Sequence, residues 1–231
     1  RLTLGVKPGE IFGFLGPNGA GKTTTINMLV GLLQPSGGKA LINSIDMWRE
    51  PLKAKALIGY VPDTAVLYER LTGREFLHFM ARLYDAAEGA ADRIAKLLDM
   101  LDIEEWADQQ IKVYSFGMRR KIAVAGALVH EPRILVLDEP TNGLDPRSAR
   151  RVKDLLRKLS ADGVTVFMST HVLEIAERMC DRIGVIYKGS LVAVGGMDEL
   201  RQQTRMAGSD LESIFLSVTG GRDDAETAKE L

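Results

Sequence analysis

Short apolar runs alternate with amphipathic stretches along most of the chain, and this alternation predicts strands exchanged with helices. Ile11 to Leu15 is an unbroken apolar run that stops at Gly16-Pro17-Asn18-Gly19, and helical periodicity follows from Lys22 through Leu33. Pro35 to Gly38 reads as a turn. Lys39 to Asn43 and Ala56 to Val61 read as further strands. A helical region runs from about Leu71 to Leu101, with Phe76, Leu77, Phe79, Met80 and Leu83, then Ile94, Leu97, Leu98 and Leu101, at helix spacing. Ser115 is placed to cap a helix that continues to Val129. Arg133 to Leu137 and Val164 to Met168 have the continuous apolar character of buried parallel strands. Asp145-Pro146 opens another helix, with Asp as cap and Pro at the first helical position. A further helix starts near Val172, and Ile183 to Tyr187 and Leu191 to Val194 form a hairpin about Lys188-Gly189-Ser190. After about Gly220 the chain turns polar and a frayed tail is expected.

Strands alternating with helices imply an α/β domain built on a largely parallel sheet. The helical middle is too long for a single crossover, so it predicts a subdomain. The expected organisation is one domain over residues 1–220, with a helical subdomain at approximately 64–130 inserted in the α/β core, and a polar tail over 221–231.

Composition narrows the picture. In 231 residues, 30 Lys and Arg stand against 31 Asp and Glu, a formal net charge of −1. That balance lacks the basic excess of a nucleic-acid footprint, and no nucleic-acid partner is expected. One cysteine, Cys180, excludes an internal disulfide and fits a reducing compartment. It falls in a helical segment and reads as a small apolar filler, not a reactive thiol. No run approaches the roughly 20 apolar residues a membrane helix requires, and no signal-peptide pattern is present. The chain opens at Arg1, without a methionine and in what reads as mid-strand, so upstream residues are expected.

The chemistry is concentrated at the ends of the apolar runs. Gly16-Pro17-Asn18-Gly19-Ala20-Gly21-Lys22-Thr23 fits the phosphate-loop pattern, with Thr24 following, and has a strand before it and a helix after it. Glycines let the backbone wrap a phosphate, and the helix N-terminus favours negative charge. Lys22 would reach the β- and γ-phosphates, and Thr23 would offer its hydroxyl to Mg²⁺. The buried run Ile134 to Leu137 ends in Asp138 and Glu139, and strand carboxyl ends gather at the ligand crevice of such sheets. Asp138 is therefore expected to hold Mg²⁺ through water, and Glu139 to orient or deprotonate an attacking water. His171 ends the next strand; it either contacts the γ-phosphate or is an ordinary surface histidine.

In this order, these residues resemble the ATP-binding subunit of ABC transporters over nearly the whole chain. The resemblance implies a P-loop NTPase fold of the ABC ATPase type: a RecA-like parallel core, an antiparallel β part and an inserted helical subdomain. Gly16 to Thr24 looks like the Walker A loop, Ile134 to Glu139 like Walker B with its catalytic glutamate, Thr141 to Asp145 like the D-loop, and His171 like the switch histidine. Tyr114-Ser115-Phe116-Gly117-Met118 is similar to the signature, with Ser115 and Gly117 retained and Phe116 and Met118 replacing a glycine and a glutamine. Asp63 stands at the Q-loop glutamine and is assigned to the metal site with Thr23 and Asp138. The adenine-stacking aromatic would lie upstream of Arg1.

By resemblance, two copies (a homodimer or heterodimer) would sandwich ATP and Mg²⁺. The loop Gly16 to Thr24 of one copy would face Ser115 and Gly117 of the other, with Asp145 nearby. A transmembrane permease would be the further partner, which implies a cytoplasmic, peripheral location on the inner face of the membrane. The permease contact resembles the segment Asp63 to about Tyr84. There Phe76 and Phe79 read as subdomain core, and the loop around Tyr68 as contact. A chromosome-type ATPase would need long heptads between Lys22 and Ser115, which are only about ninety residues apart with none between. A translation-associated ATPase would carry two cassettes. A weakly hydrolysing regulatory module is the other alternative.

Overall fold

The computed structural model describes residues 2–227, the side chains of 221–227 excepted. Its centre is a six-stranded sheet of β1 (Ile11–Leu15), β4 (Ile58–Val61), β5 (Ile134–Asp138), β6 (Thr165–Thr170), β7 (Arg182–Tyr187) and β8 (Ser190–Gly195). Their spatial order is β4-β5-β6-β1-β7-β8. The first five are mutually parallel, and β8 returns antiparallel to β7 through the hairpin expected at Lys188-Gly189. Parallel strands are buried on both faces, which explains their unbroken apolar runs. Leu135, Leu137, Val166 and Met168 join one core, while Val136 and Phe167 turn to the other.

The first core is covered by α3 (Gly73–Leu83), α4 (Ala90–Met100), α5 (Phe116–Leu128) and α6 (Pro146–Ala161). The second is covered by α1 (Lys22–Leu29) and α2 (Pro51–Ala56). A third cluster packs Leu15, Ile183 and Val185 against α7 (Leu173–Met179), α8 (Met197–Thr204) and the start of α9 (Leu211–Thr227). Helix α5 is buried at every residue from Arg120 to Leu128. It lies so close to β4 that a Cβ at Gly59 would stand 2.2 Å from the Ala127 carbonyl oxygen.

Several boundaries differ from the sequence pattern, each for a local reason. α1 ends at Leu29, not Leu33, because Gly31 takes φ 74° and the amides of Leu32 and Leu33 turn back to the Asn27 carbonyl. Residues 39–43 do not form a strand of the main sheet. Only β2 (Leu41–Ile42) is extended, in a small hairpin with β3 (Ile45–Asp46). The run at Ala56 begins as the end of α2, nucleated by Pro51 at its first position. The helical middle breaks between α3 and α4, where Asp85 and Gly89 adopt positive φ. The Arg93 guanidinium holds that turn through the carbonyls of Ala86, Glu88 and Val129.

Phe76 is buried as expected, but Phe79 is 39% exposed. It meets the exposed Tyr68 edge-on at 5.2 Å between ring centroids, so the expectation that Phe79 is core is overturned. In place of a frayed tail after Gly220, α9 carries helical backbone to Thr227, and residues 228–231 lie outside the described residues. Among the described residues, no helix is long and apolar enough to cross a membrane.

Cys180 caps the end of α7, partly buried, and a Cβ at Gly13 would come within 2.7 Å of its sulfur. Burial, helped by the neighbouring Asp181 carboxylate, pushes its thiol up from 9.0 to about 12. At pH 8 the native thiol should therefore react with iodoacetamide roughly a thousandfold more slowly than in the denatured chain. Because the folded value is the higher one, this group's contribution to stability is intact below pH 9 and declines as pH rises from there toward 12. Equal alkylation rates with and without denaturant would contradict this burial.

Candidate active site

Strand register decides which side chains meet. Leu15 lies beside Thr170, Asp138 beside Ser169, and Val61 beside Leu137. Four parallel strands thus end along one edge, and the next residues of each emerge there together: Gly16, Glu139, His171 and Pro62-Asp63. Asp63 and Glu139 of these line a cleft of about 240 Å³, together with Pro17, Asn18, Gly19, Gly21, Lys22, Thr23, Thr24 and Asp138.

The loop between β1 and α1 is shaped by its glycines. A Cβ at Gly16 would fall 2.4 Å from the Ile186 carbonyl oxygen, and Gly21 takes φ 105° at the head of α1. α1 has no side-chain cap and no acid in its first turn, so no side chain of its own competes with an anion for its first amides. Ala20 sits beneath the loop, buried in the second core. Lys22 is 8% exposed, and its Nζ donates to the Gly16 carbonyl at 2.7 Å and the Pro17 carbonyl at 3.3 Å.

Asp138 is the most buried acid of the cleft, 3% exposed. Its Oδ2 accepts from Thr23 Oγ1 at 3.0 Å and its Oδ1 from Ser169 Oγ. Ser169 Oγ in turn accepts the Glu139 amide at 3.1 Å. Glu139 itself takes φ 51°, a left-handed conformation costing a non-glycine residue roughly 1–2 kcal/mol. Its carboxylate reaches His171, with Oε1 3.0 Å from Nδ1 and Oε2 accepting the His171 amide at 3.4 Å. The two acids of β5 are therefore divided. Asp138 is satisfied by hydroxyls in the protein, and Glu139, which lines the cleft, is held by a half-exposed histidine.

A hydroxyl at Thr23, a carboxylate at Asp138 and another at Asp63 are hard oxygen donors of the kind Mg²⁺ takes. Among the described residues, no group of three or more His, Cys, Asp or Glu is gathered tightly enough to hold a metal by itself. Six of the sequence candidates do not line the cleft: Gly16, Ala20 and His171 adjoin residues that do, and three others stand apart from it. Ser115 caps α5, its Oγ accepting the Met118 amide at 3.3 Å. Gly117 lies in the first turn of that helix, where an added Cβ would meet only Leu144 Cδ2, at 3.6 Å. Asp145 caps α6 through the amides of Arg147 and Ser148, both at 3.0 Å, and the Ser148 side chain first, then its amide, hold the Asp145 carboxyl below the usual range.

Two residues that the sequence reasoning passed over organise the site. Ser169 was visible only as a small polar residue closing a buried run. Arg120 interrupts the apolar stretch of α5 and is 3% exposed; a charged residue inside a buried helix is the signal that marks it.

The sequence matches the ABC transporter family over residues 1–142. It is 39% identical over 220 residues to the linearmycin resistance ATP-binding protein LnrL of Bacillus subtilis, covering 95% of this chain and 70% of that one. It is 41% identical over 243 residues to the daunorubicin/doxorubicin resistance ATP-binding protein DrrA of Streptomyces peucetius, covering 98% and 73%. A solved ATP-binding subunit of an ABC transporter superposes with a TM-score of 0.90 at 32% identity, over 94% of this chain and 91% of the other. A dimeric ATP-binding cassette in a post-hydrolysis state with ADP and Pi gives 0.76 at 28% identity, over 84% and 88%. The phosphate loop, the acids ending β5 and these likenesses over nearly the full chain agree, and the chain belongs to the ABC transporter family as an ATP-binding subunit with the P-loop ATPase fold.

Proposed function

We propose that this subunit hydrolyses ATP to drive an exporter, through closure and opening of a dimer. The observation that carries the reading is the contact of Glu139 Oε1 with His171 Nδ1 at 3.0 Å, beside an Asp138 tied to Thr23. It supplies a base, an orienter and a metal-side carboxylate on one cleft edge. Loop amides between Gly16 and Thr24, Pro17 excepted, and the Lys22 ammonium bind the phosphates. Glu139 accepts the proton of a water aligned with the γ-phosphorus, and His171 fixes the carboxylate and reports the γ-phosphate. Mg²⁺ held at Thr23, Asp138 and Asp63 would neutralise charge on the β- and γ-oxygens.

Ser115 and Gly117 of a second copy complete the site across a head-to-tail interface, with Asp145 on the adjoining loop. This explains why these residues stand apart from the cleft within one chain. A transmembrane permease is the membrane partner, seated against Tyr68, Phe79 and their neighbours on the cytoplasmic face. The resistance proteins to which the chain is similar support export as the direction.

Two substitutions separate these roles. Glu139→Gln keeps the shape and removes the base. Turnover should fall by about 100-fold or more with ATP affinity retained, and light scattering with ATP should show a persistent dimer. Turnover near that of the unaltered protein would rule out Glu139 as the base. Gly117→Ala has room in the monomer, so its thermal midpoint should not drop. A methyl between the amide and a phosphate oxygen should still cut turnover by about tenfold or more. An unchanged rate in that variant would remove position 117 from the composite site.

A further inference from the structure

Arg120 carries one more assignment. Its guanidinium, 3% exposed, spends its two terminal nitrogens on two different segments. Nη1 donates to the carbonyls of Pro62, at 2.6 Å, and Asp63, at 2.7 Å. Nη2 donates to the carbonyls of Asp138, at 2.5 Å, and Glu139. Its Nε is buried with no acceptor among the described residues. Four backbone carbonyls, two following β4 and two ending β5, are thus drawn onto a single planar cation.

Three features separate this from ordinary core packing. The acceptors are the backbone of the two segments that bring carboxylates to the cleft, Asp63 on one side and Asp138 with Glu139 on the other. Glu139 is the left-handed residue of the pair, and its carbonyl, which also accepts the Asn142 amide at 3.1 Å, is tied by Arg120 to a distant segment and not only to its own turn. The cation also sits behind three carboxylates of one cleft. It offsets their mutual repulsion without touching them, because all four of its bonds go to main-chain oxygens.

We propose that Arg120 is a positioning residue that fixes the backbone of Pro62-Asp63 and Asp138-Glu139 to each other, so that the cleft carboxylates move as one unit. This rests on the hydrolytic reading above. A lysine at this position keeps the charge but concentrates its donors at one point, and cannot span both segments as the planar fork does. Methionine keeps much of the length and removes every donor.

The test uses the full chain with R120M and R120K. Steady-state ATPase rates, thermal unfolding and hydrogen exchange by mass spectrometry are measured side by side. The expected result is a kcat lower by about 100-fold in R120M and about tenfold in R120K, with KM for ATP within about threefold. Exchange should rise together in the segments 61–64 and 138–142, and stay unchanged in the phosphate loop 16–24.

The proposal is overturned by a kcat within about threefold of the unaltered protein in R120M. It is equally overturned by faster exchange in one segment only, or by a general rise in exchange with kcat and KM shifting together. If neither variant folds, Arg120 is a core requirement and the positioning role fails. Absence of ATPase activity in the unaltered protein would sink the hydrolytic reading instead, and paired exchange of the two segments would still decide the link.

Discussion

A buried carboxylate must be met by donors, and at Asp138 that requirement ties three strand ends together. Thr23, from the helix that follows β1, bonds one oxygen; Ser169, near the end of β6, bonds the other. The parallel register of β1, β5 and β6 makes this possible, because it stops all three strands at one level. A slip of one residue would turn Asp138 into the apolar face that Leu137 occupies. The cleft therefore follows from the same alternation that builds the core.

Glu139 shows the converse. It leaves the strand through a left-handed turn, which aims its side chain along the cleft instead of into either core. That conformation is stabilised on both flanks: its amide bonds Ser169 Oγ and its carbonyl meets Arg120 and the Asn142 amide. Strain of this kind persists where surrounding contacts over-determine it. Asp138 and Glu139, adjacent in sequence, are given different tasks by backbone geometry and not by residue chemistry.

This bears on what could be read in advance. The parallel strands, the loop at Gly16 and the acids after Leu137 were legible because each has a short-range pattern with a physical cause: apolar continuity, glycine, and charge at a strand end. The end of α1 at Leu29 was not, because Leu33 extends the periodicity while Gly31 ends the helix with a backbone turn. Phe79 was misread as core because α3 carries apolar residues beyond its buried stripe, and only its contact with Tyr68 shows that it faces outward. The helices α8 and α9 lay in a stretch where the polar composition hid a buried line of Leu200, Leu211 and Ile214. Ser169 and Arg120 were hidden for another reason: their partners are backbone atoms and acids more than fifteen residues away in sequence.

Arg120 also explains why α5 is built as it is. From Arg120 to Leu128 the helix is buried on all sides, pressed against β4 at Gly59 and against α3 at Gly126, where a Cβ would stand 2.7 Å from the Phe76 ring. Its first residues, Ser115 to Gly117, project outward, and Phe116 is 54% exposed. The exposed turn and the buried guanidinium are five residues apart, about 7.5 Å along one rigid axis. α5 contains no proline, the commonest cause of a sharp kink. Along that axis the exposed first turn is followed by Arg120, whose guanidinium bonds the carbonyls of Asp63 and Glu139. The part of the chain that would meet a second copy and the part that would hold the attacking water are then joined by one helix and four hydrogen bonds.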